Sequence, residues 1–346
     1  MNVTPRIAVI GAGYWGQNLV RVFSQLGHLA LVCDRDPAVL RRLGAIYTGV
    51  PTVGEPEEVF AAKGIDAVAI AAPTIDHAPL AARALAAGKH VFVEKPLALS
   101  TAEGAQLVER AAGAELTLMV GHLMLYHEAV VRLKEMIDFG LIGELYYLYS
   151  QRLNLGRIRR DENVLWSLAP HDVSIALYLF GETPQEVSCR GGSYIQRPSG
   201  VEDVIFCDLS FPEGRVAHLH CSWLDPHKTR RLTVVGSRKM VVFDDMEPSE
   251  KLRIYDKGIE AVRDQPDYET YGEALTLRSG DIFIPKLDVP EPLKVECQHF
   301  IECVRGGAAP RSDGSNGAAV LAVLEAASRS LGRRGAPIAI EAGGGR

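Results

Sequence analysis

The sequence predicts an α/β N-terminal domain with a parallel, doubly wound sheet, joined to an α+β C-terminal domain with an open, mainly antiparallel sheet. Three observations carry that prediction. From Arg6 to about His122, short continuously apolar runs alternate with longer amphipathic segments. From Glu186 to Val235, four strand-like runs follow one another with no helical pattern between them. The chain, at 346 residues, is long for one compact domain and comfortable for two.

The early runs are Ile7–Ile10, Ala30–Cys33, Ala67–Ala72, Val91–Val93 and Leu116–Val120. They are apolar throughout, as strands buried on both faces must be. Between them, Trp15–Leu26, Thr74–Ala87 and Thr101–Ala112 have helical patterning. Strands alternating with helices of this length form parallel sheets. Next, Tyr126–Phe139 reads as a helix ended by Gly140, and Glu144–Leu155 as a long strand. A helix over Ala169–Phe180 follows. The later strand-like runs are Glu186–Tyr194, Val204–Phe211, Val216–Trp223 and Arg231–Val235, with turns at Gly214 and Pro226. Such a series suits antiparallel pairing with one face solvated or covered by a partner. Two helical patterns, Glu291–Arg305 and Ala318–Leu331, close the chain. The boundary falls near His122, giving a first domain of 1–122 and a second of 123–346, with the closing helices able to return to the first.

Composition narrows the function. A net charge of −6 offers no basic footprint for nucleic acid. No apolar stretch approaches the length of a membrane-spanning helix. Six scattered cysteines, with no CxxC pair, fit free thiols in a reducing compartment rather than a disulfide frame or a zinc site. No metal site is expected. The stretch Met1–Arg6 lacks the charged and apolar regions of a signal peptide, so the expected location is the cytoplasm.

Gly11-Ala12-Gly13-Tyr14-Trp15-Gly16 directly follows the first strand and opens the first helix. In this context GxGxxG is a dinucleotide-binding turn. Gly11 permits the tight turn, Gly13 lets the backbone approach a diphosphate, and Gly16 lets helix and strand pack closely. Unpaired N–H groups around Tyr14 and Trp15 then face the phosphate charge. Asp34 ends the second strand eighteen positions after Gly16 (34 − 16). A carboxylate there accepts hydrogen bonds from both ribose hydroxyls of NAD and repels a 2′-phosphate. These features predict a Rossmann domain and NAD as its cofactor. Arg35 can stack on adenine, which leaves some NADP tolerance open.

Ligands of open α/β sheets lie beyond the carboxyl ends of the strands. Ala72-Pro73-Thr74 and Glu94-Lys95-Pro96 occupy two further strand ends and join the candidate cofactor site. Lys95 would stand beside the nicotinamide, its ammonium on the reacting oxygen; the alternative is a surface lysine neutralising Glu94. His171-Asp172 is the second candidate pair. With Pro170 in a helix's first turn, His171 sits near the helix N-terminus, where the dipole favours the neutral ring of a general base. From spacing alone, a hydrogen-bonded histidine at a domain interface reads equally well.

GxGxxG, the later Glu94-Lys95-Pro96 and a helix carrying His171 together resemble the glucose–fructose oxidoreductase/inositol dehydrogenase (Gfo/Idh/MocA) family. The resemblance runs over essentially the whole chain, His77 and the Gly140–Gly143 turn included. It implies hydride transfer between a hydroxyl carbon and NAD(P), assisted by Lys95 and His171. It also implies His77 in the cofactor region, and a homodimer or homotetramer. The stretches Arg152–Asp172 and Trp223–Gly236 resemble one branch, the 3-dehydrogenases of UDP-N-acetylglucosamine or its uronic acid. On that resemblance Arg152, Asn154, Arg157, Arg160, Ser167 and Asp172 join Lys95 and His171 as candidate substrate ligands. Guanidinium groups grip diphosphate and carboxylate bidentately; the alternative for the arginines is a solvated loop. The family's usual pattern places Asp four residues before the histidine, where this chain has Ser167, which can hydrogen-bond but supplies no charge.

The expected function is an NAD-dependent oxidoreductase acting on a secondary hydroxyl, at C3, of a nucleotide-sugar, or reducing the matching ketone. Two alternatives stand beside it. One is a dehydrogenase of free sugars or cyclitols. The other is a catalytically weakened NAD(H)-binding sensor or assembly protein, which Ser167 favours and intact Lys95 and His171 oppose.

Overall fold

The computed structural model describes residues 4–156, 158, 162–198, 200–261 and 275–340. Contacts divide them into two compact units, the first running to Tyr126 and including Pro290–Glu325, the second spanning His127–Val289 and resuming at Ala326. Pro290–Glu325, from late in the chain, is counted with the first unit.

The chain runs β1 (Ile7–Ile10), α1 (Gly16–Gln25), β2 (Leu29–Cys33), α2 (Pro37–Ile46), β3 (Thr52–Val53), α3 (Pro56–Ala61), β4 (Ala67–Ile70), α4 (Thr74–Ala86), β5 (His90–Glu94), α5 (Thr101–Gly113) and β6 (Leu118–Gly121). The six strands form one parallel sheet in the order β3-β2-β1-β4-β5-β6. Every residue of β1 and β4 is buried, which is why both read as unbroken apolar runs. Strand order reverses between β1 and β4, so their carboxyl ends flank the crevice where such sheets bind ligands. β3 is too short to show a period. α2 starts on a cap, Asp36 accepting the Ala38 N–H with Pro37 in the first turn.

The second unit opens with α6 (Glu128–Asp138), β7 (Leu145–Leu155) and α7 (Val164–Phe180), then β8 (Glu186–Gly192), β9 (Val204–Ser210), β10 (Val216–Ser222), β11 (Leu224–Gly236), β12 (Met240–Asp244), β13 (Leu252–Ala261) and β14 (Leu275–Phe283). α8 (Pro292–Val304), α9 (Gly314–Gly332) and β15 (Ile338–Ala339) follow. The nine-stranded sheet has the order β14-β13-β12-β11-β7-β10-β9-β8-β15 and is antiparallel except where β7 meets β10. Alternation sorts its two faces. Leu148, Ser150 and Arg152 of β7, with Leu219 and Cys221 of β10, are buried on the face that carries α7. On the other face Tyr147, Tyr149 and Phe206 remain 37–45% exposed.

Two expectations change. α7 begins at Val164 rather than Ala169, because Asn163 caps it by accepting the Trp166 N–H at 3.1 Å. Pro170 therefore lies inside the helix, and His171 is its eighth residue. Pro226 lies within β11 instead of marking a turn; there the pairing with β7 skips from Leu224 to Thr229, an irregular stretch that needs no N–H from proline. All six cysteines are free and buried. No helix among the described residues is long and apolar enough to cross a membrane.

Candidate cofactor and catalytic site

After β1 the chain turns through Gly11 at φ +83°. A Cβ on Gly11 would lie 2.7 Å from the Ala72 backbone nitrogen, and one on Gly16 only 1.9 Å from the Gly11 carbonyl oxygen. Beside the position a Gly13 Cβ would take there is nothing within 4 Å, so that backbone is open to approach. Two glycines thus allow close packing and one leaves space, the fit expected for a diphosphate at the start of α1. Asp34 is held beside this turn: its Oδ2 accepts the Ala12 N–H at 2.7 Å and its Oδ1 the Asp36 N–H at 2.9 Å. Arg35 is largely exposed and pairs with Asp76 of α4 at 3.0 Å. Tyr14 is exposed, and the Trp15 indole N–H donates to Glu94 Oε1, tying the glycine turn to the end of β5.

Ala72, Pro73 and Thr74 form the link from β4 into α4, with Pro73 as its first flanking residue. Glu94 is buried, and burial pushes its pKa up to about 7 against the Trp15 hydrogen bond and the Lys95 charge. Lys95 is half-buried. His77, in the expected cofactor region, is 1% exposed, and its ring lies between two protein carbonyls, those of Pro96 and Ala72.

Sequence reasoning missed two groups in this unit. His122, at the end of β6, is buried with Nδ1 2.7 Å from Asn316 Oδ1. Burial drives its pKa down to about 4, against the Asn316 hydrogen bond and with the Lys95 charge acting in the same direction as burial. Glu296 of α8 is buried as well, and its ionisation is opposed first by burial and then by Glu94. Neither has a chain neighbour whose spacing signals it.

In the second unit, α7 lies on β7, β9 and β10. Asp172 faces that sheet: Oδ2 accepts from Arg152 Nε at 2.6 Å, and Oδ1 from Ser150 Oγ at 2.6 Å and Arg152 Nη2 at 3.1 Å. Arg152 is itself 8% exposed. The two expected substrate ligands thus engage each other, the guanidinium fork on the carboxylate in the interior. Each helical step turns the side chain by about 100°, so His171 projects from a different side of α7 and is half-buried. Ser167, one turn earlier, is buried. The helix dipole does not act on His171, because that field fades beyond the first turn and His171 is the eighth residue. Asn154 is half-buried near the end of β7. Arg157 and Arg160 lie outside the described residues.

A parallel sheet whose switch point carries a diphosphate cradle and a carboxylate at the ribose position is the frame of a dinucleotide-linked oxidoreductase. Residues 5–122 match the oxidoreductase family with an NAD-binding Rossmann fold, and residues 130–242 the GFO/IDH/MocA C-terminal domain. The chain belongs to the Gfo/Idh/MocA family of oxidoreductases, and NAD is its cofactor. It is 28% identical to a scyllo-inositol 2-dehydrogenase (NAD(+)) of Bacillus subtilis, covering 97% of this chain and 96% of the relative. A 2,7-anhydro-N-acetylneuraminate hydratase of Escherichia coli is 26% identical over 71% of this chain and 69% of its own length. The solved structure of UDP-N-acetylglucosamine 3-dehydrogenase from Acidithiobacillus ferrooxidans superimposes with a TM-score of 0.78 at 25% identity, covering 95% of this chain and 98% of that one.

Proposed function

We propose that the chain oxidises a secondary hydroxyl, at C3, of a UDP-linked N-acetylated amino sugar or its uronate, or reduces the matching ketone. The observation that carries this reading is the likeness, over more than nine-tenths of both chains, to UDP-N-acetylglucosamine 3-dehydrogenase. Bound NAD supplies the carbon that accepts the hydride. Alcohol oxidation also releases a proton, and the chain's own side chains handle it. His171 takes the hydroxyl proton on a ring nitrogen, while Lys95 Nζ hydrogen-bonds the same oxygen and favours its alkoxide-like charge. In the reverse direction His171 returns the proton. Ser167 offers a hydroxyl to the ring or to a substrate hydroxyl without the charge that would raise the ring's pKa. Arg157 and Arg160 take the diphosphate or a carboxylate. Asp34 accepts from the ribose hydroxyls, and the glycine turn with Ala72–Thr74 lines the diphosphate side. Arg152 and Asp172 hold α7 on its sheet. The open face bearing Tyr147, Tyr149 and Phe206 is where the chain self-associates.

The scyllo-inositol relative keeps a second reading in play, a free cyclitol as substrate. Thermal unfolding with NAD present separates them. A specific ligand at a hundredfold its Kd stabilises the native state by about 2.7 kcal/mol. UDP-N-acetylglucosamine or its uronate is expected to raise Tm where scyllo- and myo-inositol do not. Stabilisation by the cyclitols alone overturns the nucleotide-sugar assignment.

A further inference from the structure

His77 is the fourth residue of α4 and 1% exposed. Its Nε2 lies 2.9 Å from the carbonyl oxygen of Ala72, just beyond β4. Its Nδ1 lies 2.7 Å from the carbonyl oxygen of Pro96, the residue after Lys95. Both partners can only accept, whereas a neutral imidazole carries one N–H. Burial disfavours the imidazolium, the Lys95 charge adds to that, and the two carbonyls with Asp76 oppose it. Each neutral tautomer therefore donates to one loop and turns a lone pair toward the carbonyl of the other.

We propose that His77 is a positioning residue coupling the two strand-end loops of the cofactor site: its Nε2–H tautomer fixes the Ala72–Thr74 loop, and its Nδ1–H tautomer fixes the loop that carries Lys95. The catalytic consequence rests on the role of Lys95 given above; the coupling itself does not. The first loop leads into the N-terminus of α4, and the second holds the backbone that carries Lys95. One buried ring thus makes the placement of each loop depend on the other.

Asn and Gln separate the two contacts. The amide nitrogen of Asn stands where Nδ1 stands in His, and that of Gln where Nε2 stands. His77→Asn keeps the donor toward Pro96 and loses the one toward Ala72; His77→Gln does the converse. Two readouts need no sugar: NADH affinity by fluorescence titration, and the pH profile of Lys95 acylation by an amine-reactive ester, followed by peptide mass spectrometry. His77→Asn is expected to weaken NADH binding about three- to tenfold, the scale of one hydrogen bond, with Lys95 labelling as in the unmodified protein. His77→Gln is expected to shift the labelling profile and hold NADH affinity within about twofold. Both variants altering both readouts alike, a reversed pattern, or no change in either overturns the coupling. A measurement on the unmodified protein does not depend on how the variants fold: ring-nitrogen NMR shifts of His77 report the tautomer directly. NADH is expected to move the population toward Nε2–H; a single tautomer indifferent to NADH contradicts the proposal. Neither readout uses turnover, so the coupling can fail while the assignment of Lys95 stands, and the reverse.

Discussion

At the scale of single residues, two carboxylates have opposite surroundings. Asp34 is fixed by the Ala12 and Asp36 N–H groups, which keeps its charge beside the glycine turn. A 2′-phosphate would bring a second anion against it. Arg35 offsets this only weakly, since it is already paired with Asp76, and exposed ion pairs contribute about 0–1 kcal/mol. NADH is therefore expected to bind at least about tenfold more tightly than NADPH, a difference of 1.4 kcal/mol, and Asp34→Ala to narrow the gap; titrating both into the cofactor-free protein checks this. Equal affinities would show that Arg35 overrides the carboxylate. Asp172 behaves differently, because its charge is interior and held by Arg152 and Ser150. Arg152→Ala leaves that charge buried with only neutral donors, the Ser150 hydroxyl and, more weakly, the Cys221 thiol, and breaking a buried pair in this way costs about 3–5 kcal/mol. Denaturant unfolding should show a loss of that size, much of it regained in the double variant Arg152→Met with Asp172→Leu. A stable Arg152→Ala protein with weakened sugar binding would return Arg152 to the list of direct ligands.

At the scale of elements, β5 ends in a carboxyl whose ionisation works against the fold. Burial raises Glu94 from the ordinary 4.5 to about 7, so the protonated form is the one the folded state prefers. The stability it contributes is fully present below about 4.5 and lost as pH rises through about 7. Glu296 has the same sign and adds to the trend. His77 and His122 act in the opposite sense over much of that window, because burial lowers their pKa and stability then rises with pH; the slope of Tm against pH is a balance of the two, and substitution isolates the share of Glu94. Glu94→Gln, which keeps an acceptor for the Trp15 indole, should remove the carboxyl's share, so that Tm rises with pH by several °C more between those limits than in the unmodified protein, since about 1 kcal/mol moves Tm by about 2–4 °C in a domain of about 150–250 residues. An unchanged slope would mean that the carboxyl is not perturbed by burial. Elements also show what the sequence could and could not reveal. β1 and β4 were legible because strands buried on both faces must be apolar throughout. The start of α7 is hidden in the sequence, since Pro170 imitates a first turn and the cap, Asn163, sits beside a polar stretch with no apolar period. The glycine turn and Asp34 were legible because the dinucleotide motif is local along the chain. The pair of His122 and Asn316, 194 residues apart, leaves no spacing to read, and the Arg152–Asp172 pair joins a strand to a helix whose facing sides only the packing defines.

At the scale of the whole molecule, each unit has its own sheet and its own share of the proposed chemistry. The first holds the dinucleotide cradle and Lys95; the second holds His171 on a helix fixed from below by a buried ion pair. A protein that only senses NAD would need the first set and could lose the second without consequence, whereas a dehydrogenase needs both. That difference makes turnover the decisive property. The most direct measurement is the ultraviolet absorbance of NADH formed from NAD and UDP-N-acetylglucosamine or its uronate, by the unmodified protein and by Lys95→Ala and His171→Ala. NADH formation is expected from the unmodified protein, and a drop of about a hundred- to ten-thousandfold in each variant with NADH affinity retained. A folded, NAD-binding protein that forms no NADH from any of these sugars, or variants that turn over at the normal rate, would contradict the proposed chemistry.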